Sequence, residues 1–237
     1  MYRDDRKHLM RWIVLLLLVI PGLVLNLGCQ PRKAATSKSP RVLPIKKVVA
    51  VGFIAALSEN EQPASFQNRL SGSMVDAEPV SRDVVRKMNN IMLERVAAEK
   101  NYELLPRSKA IGVYLETLNS DKSAGMPILK IVQEVGNKFN ADAVLIGYIY
   151  RWREREGSNY SVKRAASVSF DLHLIRSLNG AIMWKSMYDK TQQSLSENLF
   201  DLGTFKESGG KWLTVEKLGE IGLRKIIEEM PPGEDKE

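Results

Sequence analysis

Apolar positions along this chain fall into distinct periodicities, and each predicts an element. Residues 47–54 (KVVAVGFI) are almost continuously apolar and rich in β-branched side chains, which predicts a buried strand. Ser81 stands where a helix N-cap belongs, with Asp83 in the first turn. Val84, Val85, Met88, Ile91, Met92 and Val96 then recur at helical spacing through Glu99. Residues 102–105 (YELL) read as a short strand and 108–118 as a second helix. Pro127 opens a further helix whose Ile128, Ile131, Val132, Val135 and Phe139 share one face.

Residues 142–155 form the clearest strand. It begins apolar on both faces and then alternates, which predicts Tyr148, Tyr150 and Trp152 on one side and Arg151, Arg153 and Arg155 on the other. After a turn at 157–159, a return strand at 168–174 buries Val168, Phe170, Leu172 and Leu174. Asn179-Gly180 is a hairpin signal leading into a strand that runs to Gln193. A last helix, 214–229, is stopped by Pro231-Pro232. Residues 58–79 are polar, contain Gly and Pro, and show no periodicity, so a long loop is expected there. The order β-α-β-(α)-α-β-β-β-α predicts an α/β fold: a mixed, largely antiparallel sheet with helices packed mainly on one face. It occupies a single domain, 46–230, followed by a tail, 231–237.

The first 45 residues belong to neither helix nor strand of that domain. A net basic segment up to Arg11 precedes the apolar run WIVLLLLVI, Pro21-Gly22 and Leu23-Val24-Leu25, the physics of a secretory leader. Pro21-Gly22 interrupts the run, and it falls short of the roughly 20 residues that span a bilayer; a transmembrane anchor is the alternative. The chain has one cysteine, Cys29, which has no internal disulfide partner. Asn26-Leu27-Gly28-Cys29-Gln30 resembles a bacterial lipoprotein signal, departing from it at Asn26, where Leu is usual. The resemblance implies that residues 1–28 are removed and that Cys29 carries a diacylglyceryl group and an acylated amino terminus. Three chains exceed the roughly two that give stable anchoring. Gln30, where an Asp favours inner-membrane retention, implies the outer membrane. Residues 29–45 then form a flexible tether with a typical span of about 20 Å.

The net charge of +7 includes a leader with Arg3, Arg6, Lys7 and Arg11 against Asp4 and Asp5. The remaining surplus is small and scattered, and implies no nucleic-acid partner. Ser169, Asp171 and His173 tempt as a triad, but same-face neighbours on a strand lie about 6.6–7 Å apart, too far for a relay needing about 3 Å. They are expected on a solvated strand face. His8 goes with the leader, leaving His173 alone, so no metal site is expected; with no phosphate loop or Gly-rich fingerprint, no cofactor is either. Asp76/Glu78 and Glu154/Glu156 have no opposing carboxylate in view. Arg151, Trp152, Arg153 and Arg155 remain as candidate partner-binding residues.

Residues 48–53, Tyr102-Glu103-Leu104-Leu105-Pro106-Arg107-Ser108, GNKFNADAVLIG (136–147) and the strand-turn segment 172–184 together resemble the curli-secretion lipoproteins. They also resemble the lipoprotein activators of penicillin-binding proteins and the N-terminal domain of the Tol-system periplasmic protein. The resemblance implies an outer-membrane lipoprotein that is a non-enzymatic binding or assembly component of the envelope, its partner another envelope protein or itself. A pore is not expected: Arg164 interrupts one lipid-facing row, and Gly203, Gly209 and Gly210 break 195–212. Contacts are expected from 58–79, 151–160 and 194–211. The alternatives are an envelope hydrolase acting on glycan or lipid, which needs a carboxylate pair assembled across the fold, and a self-assembling ring.

Overall fold

The computed structural model describes residues 45–120, 125–158, 161–193 and 211–233. The expected leader, Cys29, the tether up to residue 44, most of the 194–211 stretch and the tail from 234 lie outside the described residues. Nine strands and four helices are described: β1 (Lys47–Ala55), β2 (Ala64–Gln67), β3 (Met74–Ala77), α1 (Arg82–Glu99), β4 (Glu103–Leu105), α2 (Arg107–Leu118), α3 (Ile128–Lys138), β5 (Ala143–Arg153), β6 (Glu156–Gly157), β7 (Val162–Arg164), β8 (Ser167–Arg176), β9 (Ile182–Thr191) and α4 (Val215–Glu229).

Five strands form one sheet in the order β4-β1-β5-β8-β9. β1 runs parallel to β4 and β5, and the longer β5–β8 and β8–β9 pairings are antiparallel. The α/β class and the mixed sheet are therefore as the pattern predicts. The helices, however, cover both faces. α1 and α4 pack Met88, Met92, Val96, Leu218, Leu223 and Ile227 against Val48, Ala50, Phe53, Phe170 and Leu172. α2 and α3 pack Ala110, Tyr114, Ile131 and Val135 against Val49, Val51, Val144 and Ile146. The near-continuous apolar runs of β1 and β5 require this, because alternate side chains leave on opposite faces and both sets are apolar.

Two irregularities break that alternation. At Gly52, with φ of 80°, the β1–β5 register shifts by a residue, so Phe53 joins the α1 face and meets Phe170 edge-on at 5.7 Å. Between Ile149 and Arg151 the β5–β8 register shifts again. Tyr148 and Tyr150 stay on the α2/α3 face, whereas Trp152 packs in the α1/α4 core. The predicted Tyr148-Tyr150-Trp152 row is thus split, because an extra residue in a strand reverses every side chain after it.

The loop expected at 58–79 is instead the β2–β3 hairpin. Its strands of four residues are too short to show a period, yet Phe66, Leu70, Val75 and Ala77 supply an apolar face that lies over Tyr148 and Tyr150. The turn after β5 likewise carries a small hairpin, β6–β7. At Asn179-Gly180 the hairpin forms as predicted, with Gly180 at φ 70°. Ser81 and Thr214 cap α1 and α4, each hydroxyl accepting from a backbone N–H three residues on at 3.3 Å. Asn101 and Asn140 follow α1 and α3 in the left-handed region, at φ 54° and 48°. Among the described residues no helix is long and apolar enough to cross a membrane.

α4 reaches the sheet through two glycines. A Cβ on Gly222 would stand 2.1 Å from the Tyr188 ring and one on Gly219 2.5 Å from the Trp152 ring. Alanine at Gly222 gains about 1 kcal/mol of helix propensity but must displace a ring wedged between helix and strand, an overpacking that costs about 1–3 kcal/mol. Gly222→Ala is expected to lower the urea midpoint of the full chain, by a net loss of about 1 kcal/mol; an unchanged or higher midpoint would show that α4 does not depend on this close approach.

Candidate functional site

β8 carries Ser167, Ser169, Asp171 and His173 on one face, the side opposite Phe170 and Leu172. The expectation of a solvated face is corrected here: Asp171 is 5% exposed, His173 1%, and both serines are fully buried. Over Asp171 the cover comes from the β2–β3 hairpin through Asn68, while Ser167 and Ser169 are engaged by Arg151 and Asp189. Asn68, wholly buried between β2 and β3, donates from Nδ2 to Asp171 Oδ2 at 2.6 Å and to Tyr150 OH at 2.7 Å. Tyr150 OH also donates to Asp171 Oδ2 at 2.6 Å, and the Tyr148 N–H donates to Oδ1 at 2.9 Å. Asn68 Oδ1 meanwhile accepts from the Leu70 and Ser71 N–H groups at 2.7 and 3.1 Å, which shapes the hairpin turn.

Burial holds the Asp171 carboxyl above its ordinary range, and its three donors and the neighbouring His173 only partly offset that. Burial likewise lowers the His173 imidazole, with Asp171 pulling the other way. His173 Nδ1 stands 3.7 Å from Asp171 Oδ1, beyond hydrogen-bond reach, and has no partner. Ser169 points elsewhere and donates to Asp189 at 3.0 Å. The three residues of the tempting triad are brought close but not into a relay, as strand spacing predicts. Asp171 and Ser169 are instead bonded to neighbours in the fold.

The arginine row is also engaged. Arg151 pairs with Asp189 and donates from Nε to Ser167 Oγ at 2.7 Å; Arg153 pairs with Glu78; Arg155 donates to the Trp212 carbonyl at 2.6 Å. The acids flagged in sequence are partners in the same pairs, Glu78 with Arg153 and Glu156 with Arg164. An open row of Arg151, Arg153 and Arg155 free for a partner is therefore not what the strand presents, and Trp152 is held against α4. Among the described residues Asp171 is the only buried carboxylate, and no cluster of His, Cys, Asp or Glu has the makings of a metal site.

A second feature lies at the carboxyl ends of the parallel strands. From β1 the chain passes through the hairpin to α1 on one face; from β4 it enters α2 on the other. Neighbouring parallel strands whose helices diverge in this way leave a crevice between them. The β1–β4 pairing stops at Val49–Leu105, and beyond it β1 has no strand on that side among the described residues. Asn89 of α1 takes the missing strand's place, accepting from the Phe53 N–H at 2.8 Å and donating to its carbonyl at 3.1 Å. Past Asn89 the crevice opens to a cavity of about 640 Å³ lined by Ile54, Val85, Ile111 and Leu115 and by Ser58, Arg82 and Arg107. Sequence reasoning missed both Asn68 and Asn89. Asn89 left a signal, a polar residue on the apolar stripe of α1; Asn68 left none.

No protein-family model matches the chain, and none of the curated proteins matches it. Solved structures similar to it include a PelC dodecamer from Paraburkholderia phytofirmans, at 14% identity over 79% of this chain and 88% of that one, with a TM-score of 0.43. Lipoprotein GNA1162 from Neisseria meningitidis is 14% identical over 68% of this chain and 91% of that one, TM-score 0.39. The LpoB C-terminal domain from Escherichia coli is 10% identical over 64% and 87%, TM-score 0.34. Superpositions this loose carry no argument about what the chain does, and they do not single out a curli-secretion or Tol relation.

Two predictions follow from the buried cluster. Asp171→Asn turns an acceptor of three hydrogen bonds into a group that faces Asn68 with either one oxygen too few or a donor opposite a donor. A loss of about 2–3 kcal/mol in urea unfolding is expected; an unchanged midpoint would mean the carboxylate does not hold the hairpin. The second concerns pH. His173, with its pKa lowered below 6.5, contributes stability that is present above that value and lost as pH falls through its folded pKa. Asp171, raised from 3.8, contributes stability present below that value and lost as pH rises through its own folded pKa. The two contributions oppose each other on acidification, so the His173 part is read by difference. Lowering the pH from 6.5 should destabilise the wild type relative to His173→Gln, and a melting-temperature difference that does not change with pH would show that His173 is not held neutral by burial.

Proposed function

We propose that the protein is a lipid-anchored, non-enzymatic binding component of the bacterial cell envelope. In this reading the leader 1–28 is removed, Cys29 is acylated, and Gln30 directs the chain to the outer membrane. A short tether keeps the domain within about 50 Å of the lipid surface. The observation that carries the non-enzymatic part is the commitment of β8: its serines, acid and imidazole are buried, and Ser169 and Asp171 are bonded to neighbours within the fold. No second carboxylate faces Asp171 among the described residues, so the pair that a glycan hydrolase requires is not assembled there. What the domain offers instead is surface. The β2–β3 hairpin ends in Met74, 61% exposed, and supplies a candidate contact for another envelope protein or a second copy of the chain. Residues 151–160 remain a candidate contact through the β6–β7 tip, with the arginines serving as its frame.

Density-gradient fractionation and affinity recovery from gently cross-linked envelopes test this reading, with Cys29→Ala beside the wild type. Wild-type chain is expected in the outer-membrane fraction together with a defined envelope protein or with its own copies. Cys29→Ala is expected to leave that fraction and lose the partner. An unchanged distribution of Cys29→Ala would sink the anchoring part. A glycan- or lipid-releasing activity that disappears in a still-folded Asp171→Asn variant would sink the non-enzymatic part.

A further inference from the structure

The crevice between α1 and α2 has the composition of a ligand site. Its walls are apolar: Ile54 from β1, Val85 from α1, and Ile111 and Leu115 from α2. At about 640 Å³ it is in the range of small-molecule sites, roughly 300–1,000 Å³. One cation stands at its inner end. Arg107, the first residue of α2, is half-buried and lies over Gly52, where a Cβ would come within 2.8 Å of its Nε. Among the described residues the guanidinium has no carboxylate partner. Its one hydrogen bond is a long 3.4 Å contact from Nη2 to the Phe53 carbonyl, and its Nε is buried with no acceptor. By contrast, Arg151, Arg153 and Arg155 are each bonded to an acid or a carbonyl.

The surroundings add positive potential. α2, of 12 residues, begins at the crevice without a side-chain cap or an acid in its first turn, whereas the start of α1 is capped by Ser81 and carries Asp83. Arg82 also lines the cavity, and among the described residues no acidic side chain is bonded to it. The one carboxylate in the lining, Glu59, accepts from the Arg82 N–H at 2.6 Å and so is turned toward the start of α1. A half-buried guanidinium without a counter-ion loses hydration and gains nothing in return, and burial accordingly depresses its pKa. An anion in the crevice supplies what is missing, and the apolar walls require that the rest of the ligand be apolar.

We propose that this crevice binds a single-chain amphiphilic anion, its carboxylate or phosphate head on Arg107 and its apolar chain along Val85, Ile111 and Leu115. A polypeptide strand is a poorer occupant, because Asn89 already holds both backbone groups of Phe53 and leaves little of the β1 edge to pair with. The site lies wholly within the folded domain, so it stands or falls independently of acylation at Cys29.

The test uses the full chain in lipid nanodiscs, with empty nanodiscs as reference and three photoreactive probes of one chain length. One is an alkyl carboxylate, one an alkyl phosphate, and one the neutral alcohol, each with a diazirine at the chain end; labelled sites are mapped by mass spectrometry. The anionic probes are expected to label the α2 segment around Ile111 and Leu115, and the alcohol to label it at least about tenfold less. Whichever anion labels more strongly identifies the head group, and either supports the site. Arg107→Gln should cut anion labelling by about tenfold or more, the effect of losing a charge-assisted hydrogen bond, while Arg107→Lys should restore part of it. If Arg107→Gln does not fold, Leu115→Glu serves: Leu115 is 45% exposed, and a carboxylate there repels the same probes from the mouth. Equal labelling by alcohol and anions, or anion labelling that a folded Arg107→Gln or Leu115→Glu leaves unchanged, would falsify the proposal, as would labelling confined to other segments.

Discussion

A carboxylate inside a protein costs several kcal/mol unless its lone pairs are engaged, and Asp171 is inside this one. Its Oδ2 accepts from Asn68 and Tyr150 and its Oδ1 from the Tyr148 backbone, so one side chain ties β8 to β5 and to the β2–β3 hairpin. Removing the hairpin would expose the Tyr148–Tyr150 surface and leave the carboxylate short of a donor. The placement of the whole 58–79 segment therefore hangs on this cluster, helped by the rings of Phe66, Tyr148 and Tyr150 that pack within about 6 Å of one another.

That placement has consequences for the crevice. The chain leaves the hairpin along Pro79, which bridges to Leu57, and the Val80 N–H donates to the Leu57 carbonyl at 3.1 Å. These bonds set where Ser81 caps α1, and so where Val85 and Asn89 meet β1. On the far side, β4 is only three residues long, and its end delivers Arg107 directly to the β1 edge that β4 has ceased to cover. The cavity is thus a product of two chain paths diverging to opposite faces, with the bulge at Gly52 letting Asn89 and Arg107 approach the backbone.

The long elements were legible because their periodicity is local. α1, α3 and α4, the strands β1, β5, β8 and β9, and the cap at Ser81 all stand within a residue or two of where the pattern puts them. The distribution of helices over two faces was also readable in principle, since β1 and β5 are apolar on both sides. The misreadings have physical causes. A bulge reverses alternation without leaving a local mark, so Trp152 was assigned to the wrong face. Strands of four residues carry too few positions for a period, so β2–β3 read as loop. Ser169, Asp171 and His173 read as solvated because polar side chains usually are; Asp171 is covered by Asn68 of the hairpin, 103 positions away in the chain, and Ser169 is engaged by Asp189 of the neighbouring strand.

The sequence by itself determined the order of the long elements, the α/β class, and a strand spacing that sets Ser169, Asp171 and His173 apart from one another, since all of these follow from spacing between near neighbours. Tertiary structure alone decided which polar groups are buried, which arginines are paired, and where an unpaired one faces a cavity. Those outcomes depend on contacts such as Asn68 with Asp171, 103 residues apart, and Arg107 with Phe53, 54 apart. Burial and pairing are properties of what a side chain meets, and no local pattern encodes a neighbour so remote.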